Sequence, residues 1–281
     1  IYTTGNTLSL HDALPIWTFA PELGRPDGDS MRFVADDPAP FFRLRRRGAP
    51  PKINADNGSI QLRYEAIDAM ESRALAAFSA AATAANLELA GTDGGARPAR
   101  GHVYSTQLGP HGRPIVFAFA GEAPQPDGAQ VFLGPDDIMT SLNVQLLAAG
   151  HAYPLFYDTL FDDLRQRCTE VTLQAQQAGR GVWAADRTLA PTPWDDDLGT
   201  LPPMFPKLWR RLDAYARDET FFDPERPLAG FKPWLEIERP ERVSVPSEDL
   251  FTGFDNLVET TDDTVRLTVA PHRMVIVSET C

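Results

Sequence analysis

A mainly β fold with packed helices, followed by a small α+β C-terminal segment, is the class that this 281-residue sequence predicts. Three observations carry that expectation. Short runs with partial apolar alternation, the period of a half-buried strand, recur over the first 120 residues. A Gly- and Pro-bearing connection, Leu108-Gly109-Pro110-His111-Gly112-Arg113, joins two of them as a hairpin. Apolar residues then return at three- and four-residue spacing, the period of amphipathic helices.

Residues 30–34 (SMRFV) and 60–67 (IQLRYEAI) are the first strands, separated by a Pro- and Arg-rich stretch. Residues 72–86 are Ala-rich around Leu75 and Phe78, and alanine has the highest helix propensity. HVYST at 102–106 and PIVFAFA at 114–120 are the hairpin strands, and APQPDG at 123–128 is a loop. Leu142, Leu146 and Leu147 give the next helix an apolar face, which Gly150 closes. Leu160, Leu164, Cys168, Val171, Ala175 and Ala178 share one face of a helix over 159–178, with Gly179 as its stop, which makes Cys168 a core residue. Residues 187–204 combine prolines with an acidic triplet, the composition of a linker. PKLWRRLDAYAR at 206–217 is a short helix, and RVSV, NLVET, TVRLTV and RMVIV make a β-rich end. Over the middle of the chain this order of elements fits a five-stranded, partly open Greek-key barrel of the OB-fold type with packed helices.

A composition of 43% hydrophobic and 23% charged residues excludes a disordered chain and a coiled coil. No apolar run approaches the roughly 18 residues of a membrane span, so no membrane partner is expected. Cys168 and Cys281 are too few for a disulfide framework or a Cys-rich zinc site. The net charge of −13 weighs against a nucleic-acid partner, yet residues 17–100 balance 11 basic against 11 acidic groups. That third holds a basic run, Arg43, Arg45, Arg46, Arg47 and Lys52, for which a solvated face is the plainer reading. Residues 1–16, IYTTGNTLSLHDALPI, are similar to the translation of a sequencing-adapter read and are set apart from the fold as non-native. A true start upstream is then expected, which leaves the compartment open with secretion slightly favoured; a monomer is expected.

Three segments carry chemistry. Asp27-Gly28-Asp29-Ser30 sets two carboxylates around a glycine before a strand, suited to a hard divalent cation and equally to a common turn. Arg63-Tyr64-Glu65-Ala66-Ile67-Asp68-Ala69-Met70-Glu71 runs from strand to helix. Alternation puts Arg63, Glu65 and Ile67 on one face and Tyr64, Ala66 and Asp68 on the other. Asp68 and Glu71 fall on the connection, where one can bind a metal and the other hold a water; Glu71 also suits a helix dipole and Arg63 a structural ion pair. In His111-Gly112-Arg113 the glycine allows close approach and the arginine offers an anion its planar fork.

In order and spacing these segments resemble the staphylococcal-nuclease-like, or thermonuclease, family. There an Asp-Gly-Asp-Thr segment precedes a strand, Arg-Leu-x-Gly-Ile-Asp-x-Pro-Glu leads into the first helix, and a Tyr-Gly-Arg turn follows. Here they read DGDS, RYEAIDAME and HGR. The likeness continues through SLNVQLLAAGHAYP at 141–154 and ends at AGRGVWAAD, covering about 27–186 of a domain set at 17–186, and leaves 205–281 as an accessory segment without a role. It implies a calcium-dependent endonuclease that hydrolyses DNA and RNA with little sequence specificity. By position, Asp29 and Asp68 would be the calcium carboxylates with the Ala69 carbonyl as third oxygen, and Asp27 would lie just beyond them. Arg63 and Arg113 would hold the scissile phosphate, and Glu71 would activate the water. The sequence departs from the pattern with Met70 for the proline, Ala66 for the glycine, His111 for the tyrosine and about 20 extra residues at 37–58. The alternative is a non-catalytic OB-fold module that grips nucleic acid or a protein. No His-x-x-x-His pair, phosphate-cradling Gly-rich loop or Gly-x-Ser-x-Gly elbow competes, and Asp195–Asp197 reads as solvated.

Overall fold

The computed structural model describes residues 9–46 and 48–278, with side chains from Thr18 onward. Residues 1–8, Arg47 and Cys281 lie outside the described residues. The fold is mixed α/β. Strands β1 (Ser9–Phe19), β2 (Arg32–Ala35), β3 (Arg45–Arg46), β4 (Ser59–Gln61), β5 (Arg63–Tyr64) and β6 (Ile67–Ala69) precede helix α1 (Ala76–Leu89). Then come β7 (Ala99–Leu108), β8 (Pro114–Ala120), β9 (Gln130–Leu133), α2 (Leu142–Ala149), β10 (Ala152–Pro154), β11 (Phe156–Tyr157) and α3 (Asp162–Gln177). The C-terminal part holds β12 (Thr192–Pro193), α4 (Pro206–Tyr215), α5 (Phe231–Glu238), β13 (Arg242–Val245), β14 (Leu250–Gly253), β15 (Val258–Thr260), β16 (Thr264–Leu267) and β17 (Val275–Ile276).

The largest sheet runs β4-β2-β1-β7-β8-β5, with β3 beside β7 and β9 beside β1. Among the described residues this six-strand path is open and the sheet has eight strands in all, where the sequence predicts a five-stranded, partly open barrel. Its two end strands are consecutive in the chain, separated by Leu62 alone, so the sheet has to curl to bring them together. The Leu62 N–H donates to the Met31 carbonyl at 3.0 Å and the Tyr64 N–H to the Asp29 carbonyl at 3.0 Å, carrying the β2 side of the pairing on toward β5.

Residues 9–16, set apart from the fold by their sequence, belong to the strand β1. Asp12 pairs with Ser105 of β7 and Ser9 with Leu133 of β9. The register shifts between Leu14 and Trp17, at Pro15, which has no N–H to give to a ladder.

The helices follow their local signals. The Ser141 hydroxyl caps α2 by accepting the Val144 N–H at 3.2 Å, and Gly150 ends it at φ 73°. Helix α3 buries Leu164, Cys168, Val171 and Ala175, while Ala178 at its end is exposed.

Two apolar cores result among the described residues. One joins Phe19, Phe33, Val103 and Phe117 of the sheet to Ala82, Leu146 and Leu164 of the helices. The other gathers Trp209, Leu212, Phe231, Trp234, Val243 and Val265, and takes in Met70, Ala74, Tyr153, Leu155 and Val182 from the earlier part of the chain. Residues 187–204 are packed where composition suggests a spacer: Leu198, Leu201 and Met204 are buried in the second core, and Thr192 pairs with Val265. The apolar residues between the prolines gain more by burial than a solvated spacer would. Ile67 and Ala69 face the first core while Met70 and Ala74 face the second, so the strand-to-helix connection is where the two cores meet. Among the described residues no helix is long and apolar enough to cross a membrane.

Candidate functional site

Gly28 brings the first carboxylates to the sheet. A Cβ there would stand 2.6 Å from the Ala69 Cβ and 2.7 Å from the Ala82 Cβ, so the turn can lie this close to β6 and α1 only as glycine. The Asn86 amide donates to the Asp27 carbonyl at 2.7 Å and is itself held by the Tyr64 hydroxyl at 2.9 Å. Asp29 then reaches β6, where its Oδ2 accepts the Ala69 N–H at 3.3 Å.

Arg63 and Arg113 are brought side by side by the sheet. Arg63 on β5 pairs with Ile115 of β8, two residues beyond Arg113. The turn that carries Arg113 is clamped by the extra residues: the Ala49 N–H donates to the Pro110 carbonyl at 3.1 Å and the Lys52 N–H to the Gly112 carbonyl at 3.0 Å. Gly112 has φ +74°, and a Cβ there would meet the Pro50 carbonyl oxygen at 2.1 Å. His111 is exposed on this turn, as are Arg45, Arg46 and Lys52 close to it, while the exposed Arg43 lies against Gly128. None of those four cations has a carboxylate partner among the described residues.

These groups act on one another. Burial, then the charges of Asp27 and Asp68, push Asp29 well above the ordinary carboxylate range, with Arg63 opposing. Burial works against the Arg63 charge, but Tyr157, Asp29 and Asp68 together hold it above its ordinary value. Arg113 is lowered by burial and then by Arg63, with Asp29 and Asp27 opposing. Neither Arg63 nor Arg113 has a carboxylate hydrogen-bonded to it among the described residues.

Asp68 and Glu71 are in a different position. Asp68, 1% exposed on β6, accepts two hydrogen bonds from Arg210 of α4: Nη1 to Oδ1 at 2.9 Å and Nη2 to Oδ2 at 2.8 Å. The same Nη1 donates to Glu71 Oε1 at 3.0 Å. Burial opposes the Arg210 charge, and Asp68 and Glu71 outweigh it, raising the guanidinium above its ordinary value. A second link between the same elements, Arg73 to Asp213 at 3.1 Å, flanks the first.

The resemblance implies that Asp29, Asp68 and the Ala69 carbonyl would hold calcium. Both oxygens of Asp68 are occupied by Arg210, and one of Asp29 by a backbone N–H. Among the described residues no three His, Cys, Asp or Glu side chains converge as a metal set. As arranged, Asp29, Asp68 and the Ala69 carbonyl do not fit a calcium ion.

Asp29, Arg63, Asp68 and Arg113, expected as one site, share one electrostatic cluster, and Glu71 joins it through Arg210. Ala66 holds φ +70°, the left-handed conformation that suits the family's glycine. Met70, in place of the family's proline, is a member of the second core. Glu65 is buried, which raises it to about 7 against the pull of the Ala66 N–H and Arg63; nearby Cys168 is pushed up to about 12, first by burial and then by Glu65. The sequence reading missed Arg210. Its only signal was a pair of arginines, Arg210 and Arg211, following the apolar Leu208 and Trp209 on one helix. No protein-family profile matches the chain, and no curated protein matches it.

Proposed function

We propose that residues 27–186 form an OB-type unit of thermonuclease kind that binds nucleic acid and hydrolyses its phosphodiester bonds. One observation carries the reading: Arg63 and Arg113 are half-buried neighbours and neither is hydrogen-bonded to a carboxylate among the described residues. Two such guanidiniums favour an oxyanion that accepts from both forks. The consecutive end strands of the curled sheet support the OB reading. Exposed Arg45, Arg46 and Lys52 beside the Arg113 turn offer contacts to flanking phosphates, which carry no base information, so DNA and RNA serve alike.

In hydrolysis a water attacks phosphorus, its proton passes to Glu71, and the bond to the leaving oxygen breaks. Arg63 and Arg113 meet the charge that grows on the non-bridging oxygens. Glu71 is 40% exposed at its side chain, so water reaches it.

The second reading, a module that binds without turnover, is favoured by the engagement of Glu71 with Arg210. Single-turnover cleavage of a labelled oligonucleotide, with calcium and with chelator, separates the two. Hydrolysis that falls roughly 10²–10³-fold in Arg113→Lys and roughly 10²-fold in Glu71→Gln, at unchanged melting temperature, supports the enzyme. Binding without cleavage supports the module, and absence of both removes both readings.

A further inference from the structure

The geometry points to Arg210 as the cation of this site, supplied by the chain itself in place of a bound divalent ion. Asp68 is almost fully buried, and a buried carboxylate needs a compensating charge with hydrogen bonds to its lone pairs. Arg210 provides both through its planar fork, and reaches Glu71 with the same nitrogen. Its helix is anchored in the second core. Leu208, Trp209 and Leu212 on its own helix are each at most 2% exposed, and the Trp209 indole donates to the Leu198 carbonyl at 2.9 Å. Met70, two residues from Asp68, is buried in the same core, so the carboxylate and the helix that supplies its cation are fastened together. A divalent ion would need the lone pairs that Arg210 already uses, and would be repelled by it. Arg210 is thus a positioning residue: it holds Asp68 in place near Arg63 and ties Glu71 to Asp68.

This inference rests on the proposed phosphodiester site only for the use to which the cation is put. Its test needs no nucleic acid. Terbium luminescence, sensitised by tyrosine and tryptophan and displaced by calcium, reads metal binding in wild type, Arg210→Gln, Arg210→Lys and the Arg210→Gln/Asp68→Asn double variant. The expected result is no calcium-displaceable signal in wild type or Arg210→Lys, a saturable one in Arg210→Gln, and its loss in the double variant. A wild-type signal abolished by Asp68→Asn overturns the inference, and so does a folded Arg210→Gln that binds no metal. Should Arg210→Gln fail to fold, wild-type melting decides: a melting temperature unmoved by millimolar calcium is expected, and a rise that Asp68→Asn removes is contrary. A protein that neither binds nor cuts oligonucleotides would defeat the proposed function and leave this contrast intact.

Discussion

Arg210 grips both carboxylate oxygens of Asp68, at 2.9 and 2.8 Å, across 142 positions of sequence. Removing one partner of such a pair strands a buried charge, which commonly costs about 3–5 kcal/mol. Arg210→Ala is therefore expected to lose about 3 kcal/mol, and adding Asp68→Asn to return a large part of it. Urea unfolding of the two single variants and the double variant measures the coupling. Strictly additive losses would show that the pair contributes nothing as a pair.

Ala66 stands in left-handed backbone at φ +70°. Releasing an L residue from that region gains roughly 1–2 kcal/mol, while losing one buried methyl costs roughly 0.8 kcal/mol. Ala66→Gly is expected to stabilise the protein by a few tenths to about 1 kcal/mol in the same urea assay. A clear destabilisation would mean that the methyl packs better than the backbone is strained.

Glu65 gives a pH dependence of definite sign. Its folded value of about 7 lies above the ordinary 4.5, so the folded state holds the proton more tightly than the unfolded state does. The stability this contributes is full below about pH 4.5 and is lost by about pH 7. Glu65→Gln should then match wild type near pH 4 and exceed it by about 3 kcal/mol at pH 8. Equal unfolding midpoints at pH 8 would place the ionised carboxylate in a better solvated position than its burial indicates.

The parts of the fold that were legible in sequence are those fixed by local periodicity and caps. Ser141, Gly150 and the leucines between them define α2, and Leu164, Cys168 and Val171 define the buried face of α3. The β7–β8 hairpin was legible from the glycines and proline of its turn. What escaped depends on contacts remote in sequence. Nothing local in residues 9–16 indicates pairing with β7 and β9, and nothing in Leu198 or Met204 shows that they are covered. The four residues Asp29, Arg63, Asp68 and Arg113 came from motif order, but a helical arginine does not announce which carboxylate it faces. Met70 was the nearest hint: an apolar residue in place of a proline, beside a carboxylate, implies that an apolar surface covers that turn.

The shared second core sets an expectation for truncation. A chain ending near residue 190 would uncover Met70, Ala74, Tyr153, Leu155 and Val182, and would lose the β17 strand that pairs with β11. It should aggregate or melt far below the full chain in light scattering and thermal denaturation. A monomeric, cooperatively melting fragment would show that the first core is sufficient by itself.

If Arg63 and Arg113 form a phosphodiester receptor, binding of a fluorescent single-stranded oligonucleotide depends on both guanidiniums and weakens with salt. For single strands the slope of log affinity against log salt changes by roughly 0.7 for each phosphate contact. Arg63→Ala and Arg113→Ala are each expected to weaken binding about tenfold or more and to reduce the slope by about 0.7, with folding intact by circular dichroism. Wild-type affinity and slope in both variants would mean that neither guanidinium receives a phosphate.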